Sequence, residues 1–345
     1  MKQHTIIIAE AGVNHNGDPE IARELVRKAA AAGADYVKFQ TFDAAKLVAA
    51  SAPKAEYQKE NCPETGGTQL EMLRRLQLTE EDFRGLAEEC ARCGIGFLSS
   101  PFDLESIDFL AGLGMDYWKI PSGEITNLPF LRSIGARKGK VILSTGMSEL
   151  SEIEAAMKVI EEAGTPRRDI ILLHCNTQYP TPPCDVNLRA MNALETLNPG
   201  AVGYSDHTCG IAVPTAAVAL GARVIEKHFT LDKGMEGPDH RASLDPAELR
   251  GMTDAIRTVE QALGDGTKHV TESERPNMAV ARKSIVAARK IRRGEILTPE
   301  NITTKRPGTG LSPMMWDSVC GSAAIRDFDP DELIAVSYTH LRAHE

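Results

Sequence analysis

No stretch of the 345-residue chain approaches the ~18 consecutive apolar residues of a membrane span, so no membrane partner is expected. The first residues, Met1 to Thr5, lack the apolar core and cleavage site of a secretory signal. There is no dense Lys/Arg block, and the net charge is −9. Nucleic acid is therefore not an expected partner, because neutralising phosphates takes a basic patch. An anionic substrate stays open, since local charge decides that. A disulfide framework is also missing. The seven cysteines are odd in number and scattered, which suits reduced thiols and a cytoplasmic location. Cys90 and Cys93 have metal or redox spacing, but they fall late in a helix-like segment with no second pair, so a structural role is the expectation.

What is present is a regular alternation. Short β-branched runs occur at Thr5–Ala11, Tyr36–Thr41, Gly96–Ser100, Tyr117–Ile120, Val141–Thr145, Ile170–His174, Val202–Ser205 and Arg223–His228. Amphipathic stretches lie between them, among them Pro19–Ala32, Thr79–Cys93, Leu104–Leu113, Glu149–Ala163, Pro214–Leu220 and Pro246–Leu263. Eight such units predict an α/β protein, a closed (β/α)8 TIM barrel, over 1–265. An open doubly wound sheet is the rival. It usually has fewer strands and a Gly-rich phosphate loop after the first, and no GxGxxG follows the first run here. A polar segment, 266–283, reads as a linker, and 284–335 as a small separate domain. Within that domain Ser284–Ala288 is strand-like, Leu297–Ile302 a short helical turn, and Arg306–Gly310 a loop. The last ten residues, 336–345, break pattern and are expected to be a non-native tail.

A parallel barrel gathers the C-terminal ends of its strands onto one face, where barrel enzymes do chemistry. The runs deliver to that face Glu10, Lys38 and Gln40, Ser100, Lys119 with Ser122 and Glu124, Ser144, Thr177 and Tyr179, Ser205 and His207, and Glu226 and His228. Lys38 and Lys119 interrupt runs that should be buried, and a buried ammonium needs an anion. Ringed by Ser100, Ser122, Ser144 and Ser205, they make a phosphate or carboxylate cradle; internal salt bridges with Glu10 or Glu226 are the alternative. His207 and His228 end adjacent strands, with Asp206, Glu226 and Asp239 nearby. A pair of core histidines would look similar, but the placement favours an open metal site, for which Mn2+ or Mg2+ fits at least as well as Zn2+. Glu10 and Glu124 face each other across the mouth as candidate acid, base or sugar-holding carboxylates.

Taken together, Ala9–Gly17, Val37–Thr41, Lys119–Glu124, Leu143–Met147, His174–Pro182, Ser205–His207, Glu226–Thr230 and Gly237–His240 resemble the bacterial sialic acid synthase family, and Lys305–Gly310 resembles the arginine loop of its C-terminal SAF (antifreeze-like) domain. The resemblance runs from residue 5 to about 334. It implies condensation of phosphoenolpyruvate with an N-acetylated amino sugar, giving a nine-carbon 2-keto acid and phosphate. It implies that His207 and His228 hold a divalent metal and that Glu10 is the catalytic carboxylate. Lys38, Ser100, Lys119, Ser122, Ser144, Thr177, Tyr179 and Ser205 fall on phosphoenolpyruvate positions. Gln40, Glu124, Asp239 and Arg306 fall on sugar-facing ones, with Arg306 reaching the N-acetyl group. It further implies a domain-swapped homodimer in which Arg306 acts in trans. Ser100 stands where many relatives carry Thr, and Asn176-Thr177 reverses the order of one branch. N-acetylmannosamine, giving N-acetylneuraminate, is the first expectation for the sugar. A 2,4-diacetamido-2,4,6-trideoxymannose, giving N,N'-diacetyllegionaminate, is the alternative; both are compatible with 52–58, Glu71–Leu73 and Trp118–Ile120. A Schiff-base aldolase using Lys38, Lys119 or Lys227, a metal-dependent hydrolase, and a non-catalytic ice- or glycan-binding protein are the rival functions.

Overall fold

The β-branched runs become eight strands: β1 (Ile6–Gly12), β2 (Tyr36–Thr41), β3 (Gly96–Pro101), β4 (Tyr117–Ile120), β5 (Lys140–Ser144), β6 (Ile170–Cys175), β7 (Val202–Asp206) and β8 (Val224–His228). The computed structural model describes residues 4–54, 56–61, 68–198 and 202–335. All ladders in the sheet are parallel, in the order β3-β2-β1-β8-β7-β6-β5-β4, and the end strands β3 and β4 pack side by side to close the barrel. This is the TIM barrel that the alternation predicts.

Side chains alternate across each strand, and that alternation places the chemistry. Ile8, Leu98, Ile142, Leu173 and Val224 point inward and fill the lower barrel as an apolar plug. Two residues further along the same strands stand Glu10, Ser100, Ser144, Cys175 and Glu226. Each polar group therefore sits one layer above an aliphatic one. Gly203 lets β7 join this packing, since a Cβ there would meet the Val224 carbonyl at 2.4 Å. Outward-facing Ile7, Ala9, Val37, Phe39, Leu143, Leu172 and Ile225 form the main core with the surrounding helices.

The helices start where capping chemistry dictates. Asp18 caps the helix Pro19–Ala31, whose Pro19 needs no amide partner, and Thr79/Asp82 and Asp245/Glu248 form capping boxes. Between β2 and β3 the chain adds the helices Ala44–Leu47, Glu56–Asn61 and Gln69–Leu76, which the sequence reading did not separate from loop. Their Met72, Leu73 and Leu76 pack with Val13 and Phe42 in a small apolar cluster.

The chain divides into two compact units at Gly264/Asp265. In the second unit, β9 (Ser284–Ala287) pairs antiparallel with β10 (Ile302–Lys305) over a core that includes Ile285, Ile291, Leu297, Val319 and Phe328. Two expectations need correction here. The segment 266–283, read as linker, contains the helix Arg275–Ala281, a short and largely exposed helix that carries no amphipathic signal. The helical turn expected over Leu297–Ile302 closes at Asn301. The side chain of Asn301 accepts from the Thr298 amide at 2.8 Å, and Ile302 already pairs with Ala287. Arg306 lies in the expected loop, its Nε donating to the Ala281 carbonyl at 3.0 Å. The proposed tail, 336–345, and Ala55 lie outside the described residues. Among the described residues no helix is long and apolar enough to cross a membrane.

Candidate active site

A cavity of about 250 Å3 sits above the plug at the C-terminal ends of the strands. It is lined by Glu10, Lys38, Gln40, Ser100, Lys119, Ser122, Ser144, Thr177, Tyr179, Ser205, His207, His228 and Asp239, so the structure brings together thirteen of the fifteen side chains to which the resemblance gives a role, and Glu226 lines it as well. Arg306 belongs to the second unit. Glu124 is not in the lining. It follows Ser122 in a 3-10 turn, where residues two apart point roughly 240° apart, and its carboxylate accepts from the Asn127 amide at 2.6 Å.

The floor is a charge relay between strands. Lys38 Nζ lies 2.7 Å from Glu10 Oε2, 3.9 Å from Glu226 Oε2 and 3.1 Å from Ser100 Oγ. Lys119 Nζ lies 3.7 Å from Glu226 Oε1 and 2.8 Å from Ser144 Oγ. Ser205 donates to Glu226 Oε1 at 3.1 Å, and Gln40 donates to Glu10 Oε1 at 3.1 Å. Internal salt bridges and a cradle are thus the same atoms. Glu226, expected at the end of the eighth strand and as a salt-bridge partner, joins the two lysines from a position two residues before His228 on the same strand face. A bulge in β1 between Glu10 and Gly12 aims the Glu10 carboxylate at this floor. Gly12 adopts φ +51°, and a Cβ there would crowd Glu10 Oε1 at 3.1 Å.

Burial and charge pull these groups apart. Burial pushes the Glu10 carboxyl up to about 7, with Lys38 opposing and Glu226 adding to the rise. For Glu226 burial also acts upward, but the two ammonium groups outweigh it and hold its carboxyl below the usual range. Lys38 stays above its ordinary value because Glu10 and Glu226 overcome its burial, whereas burial wins at Lys119 and lowers it. Asp239 is pushed up to about 6 by burial.

On the opposite wall, the ring centroids of His207 and His228 are 5.4 Å apart. Nδ1 of His207 faces the Asn176 carbonyl, which only accepts, so Nδ1 carries the proton and Nε2 presents its lone pair. The Tyr179 hydroxyl sits 3.0 Å from that Nε2. His228 Nδ1 is buried without a hydrogen-bond partner, and Asp239 Oδ2 lies 3.9 Å away. Burial holds His207 down at about 4, and burial with the neighbouring His207 and lysines holds His228 well below its ordinary value. Two neutral imidazoles fit a divalent cation, with the His228 Nδ1 lone pair unpartnered and the His207 Nε2 lone pair accepting only from the Tyr179 hydroxyl. Among the described residues no group of three or more His, Cys, Asp or Glu converges there, so two nitrogens are what the chain offers.

Thr177 lines the cavity, as the resemblance implies, and the Asn176 side chain instead accepts from the Gln178 amide at 2.8 Å. Two further local outcomes were not readable in advance. Cys175 lies in the lining, 3.3 Å from Ser122 Oγ. One flank is apolar, formed by Val13, Met72, Leu73, Leu76, Phe102 and Pro238.

Comparison with known proteins decides the family. The NeuB family model matches residues 25–268, and the SAF domain model matches residues 282–336. The chain belongs to the NeuB family. This agrees with the resemblance its strand-end motifs carry. Among relatives of known name, it is 50% identical to the N,N'-diacetyllegionaminic acid synthase of Campylobacter jejuni over 96% of this chain and 98% of that one. It is 49% identical to the N,N'-diacetyllegionaminic acid synthase of Legionella pneumophila, over 92% and 89%. The crystal structure of N-acetylneuraminic acid synthetase from Leptospira borgpetersenii, in complex with citrate, superposes with TM-score 0.69 at 32% identity, covering 80% of this chain and 91% of that one. NeuB-family membership with these synthase relatives makes the chain a sialic-acid-type synthase, an enzyme rather than a passive glycan binder.

Proposed function

We propose that this NeuB-family enzyme condenses phosphoenolpyruvate with 2,4-diacetamido-2,4,6-trideoxymannose, yielding N,N'-diacetyllegionaminate and phosphate. The observation that carries the condensation is the buried floor. Two ammonium groups, Lys38 and Lys119, each bonded to a serine hydroxyl, line the same cavity as two neutral imidazoles. Of the two sugars expected, the choice of the diacetamido sugar rests on the two relatives near 50% identity. The apolar flank supports it, since a 6-deoxy carbon presents a methyl where N-acetylmannosamine presents a hydroxyl.

Lys38 and Lys119, with Ser100, Ser144, Ser122 and Thr177, hold the phosphate and carboxylate of phosphoenolpyruvate by charge-assisted hydrogen bonds. His207 and His228 hold the divalent metal, Mn2+ or Mg2+, and when bound it supplies Lewis-acid polarisation of the sugar aldehyde. Gln40 and Asp239, which also line the cavity, orient the sugar chain. C3 of phosphoenolpyruvate forms the new bond to the sugar carbonyl carbon, which leaves positive character at C2. Water adds at C2, and phosphate leaves with its bridging oxygen, so the ketone oxygen derives from water. Glu10, with a carboxyl near neutrality, takes the proton of that water. We further propose a cytoplasmic homodimer in which Arg306 of the partner subunit reaches the sugar's acetamido group; its position in a Pro- and Gly-rich loop supports an adaptable contact.

The test is phosphate release with each sugar side by side, with the product identified by mass. Release driven by the diacetamido sugar is expected. Preference for N-acetylmannosamine would move the assignment to N-acetylneuraminate. A borohydride-trapped pyruvyl adduct, the Schiff-base outcome that the lowered Lys119 would favour, would contradict the condensation.

A further inference from the structure

Behind the two imidazoles lies a pair of charges that the condensation does not use. Strand alternation turns Asp206 and Lys227 to the outer face of the barrel, one residue before His207 and one before His228. Both side chains are 0% exposed, and Nζ of Lys227 lies 2.6 Å from Oδ2 of Asp206. The remaining valences are filled locally. Oδ1 of Asp206 accepts from the Tyr204 hydroxyl and from the Thr208 amide, each at 3.1 Å. Oδ2 also accepts from the Thr208 hydroxyl at 3.1 Å, and Lys227 donates to the Thr208 carbonyl. Lys227 is therefore no candidate for a Schiff base at the cavity.

Asp206 and Lys227 are also direct partners in the parallel ladder of β7 and β8, and theirs is its last rung. Beyond it His207 and His228 leave the β7–β8 pairing side by side. His228 is tied further through Leu244, whose amide donates to its carbonyl at 2.9 Å. His207 is tied through the Thr181 amide, also at 2.9 Å. On the outer face the ion pair links both strands at their last rung, one rung beyond the inner Ser205–Glu226 hydrogen bond. An ion pair dehydrated this completely gives up hydration that an apolar pair of the same volume would not, so stability alone is a weak reason for it. Its directional bonds can be met in one register only, and a slip of one residue by either strand would turn that strand's imidazole out of the cavity.

We infer that Asp206 and Lys227, with Thr208, are positioning residues that fix the spacing of His207 and His228 and so set the affinity of the metal site. This rests on the metal reading above. The test is Mn2+ binding, followed by the electron paramagnetic resonance signal of free Mn2+, with no substrate present. The parent is expected to bind and His207→Ala to lose binding. Asp206→Asn and Lys227→Met, shown to fold by circular dichroism, are expected to weaken Mn2+ binding roughly 10- to 100-fold, the range for outer partners of metal ligands. Phosphoenolpyruvate binding to the same variants should stay within about threefold, because its lysines sit on β2 and β4. Thr208→Val, which removes one hydrogen bond, should weaken Mn2+ about fivefold. Unchanged Mn2+ binding in the folded Asp206 and Lys227 variants would overturn the inference, as would an equal loss of phosphoenolpyruvate binding. If neither variant folds, unchanged Mn2+ binding in Thr208→Val overturns it. A parent that binds no Mn2+, or His207→Ala binding as the parent does, would instead remove the metal reading, and this inference with it.

Discussion

Lys38 Nζ lies 2.7 Å from Glu10 Oε2 with both side chains buried, yet the Glu10 carboxyl is pushed up to about 7. An isolated ion pair would hold the carboxyl low. Here burial and the second carboxylate, Glu226, overcome the ammonium. A carboxyl that half-ionises near neutrality is suited to taking a proton from water. Glu10→Gln should therefore lower kcat by roughly 10^2- to 10^4-fold while the fold persists. In the parent, kcat should fall as pH drops below about 7, because the ionised form is the base. Stopped assays across pH 5.5–8.5, an interval spanning about the relevant range, check both; a flat profile with near-parental Glu10→Gln turnover would remove the role.

Lys119 reaches Ser144 and, at longer range, Glu226. Replacing it with Met removes one cation from the cradle and leaves Glu226 with Lys38 alone. The KM for phosphoenolpyruvate should rise about 10- to 100-fold, the worth of a charge-assisted hydrogen bond, with the KM for the sugar little changed. Steady-state kinetics in both substrates would show the split. An equal rise in both constants would mean that the side chain holds the barrel mouth rather than the phosphate.

His15 is 1% exposed beneath the loop after β1, where its Nδ1 accepts from the Gly17 amide at 3.0 Å. Burial lowers its protonation to about 4. Between about 6.5 and 4 the unfolded chain takes up a proton there that the folded chain refuses, so stability is lost as pH falls through that interval. The loss amounts to on the order of 3 kcal/mol for full passage. Urea midpoints at pH 7 and pH 5, compared between the parent and His15→Gln, measure it. The variant should show a shallower decline.

Arg306 in trans makes a prediction about mixtures. His207→Ala and Arg306→Ala homodimers should each be nearly inactive. After subunit exchange, mixed dimers pair an intact barrel with an intact arginine, restoring about a quarter of parental activity by random pairing. No recovery despite exchange seen by native mass spectrometry would place Arg306 outside the partner's site.

Much of the site was legible because strand geometry is simple. Every barrel strand run was evident, and the two-residue period carries each plug residue to a cavity residue, Ile8 to Glu10 and Val224 to Glu226. Glu226 was legible as a possible salt-bridge partner of the lysines; that it bridges both at once, while the same lysines form the cradle, needed the structure. Glu124 went the other way, because strand alternation ends at Ile120 and a 3-10 turn sets its direction. The apolar flank was not legible. Met72, Leu73 and Leu76 come from a helix inserted after β2, and its amphipathic pattern says that one side is buried but not against what. The helix Arg275–Ala281 was invisible for the opposite reason: its side chains are largely exposed, so no periodicity marks it.

The central claim is that water, not the bridging oxygen of phosphoenolpyruvate, supplies the ketone oxygen in a sugar-dependent condensation. The direct measurement uses phosphoenolpyruvate labelled with 18O at the bridging position, together with the diacetamido sugar. The account predicts all label in the released phosphate and none in the nine-carbon product. Label retained in the product, or phosphate released without the sugar, would contradict it.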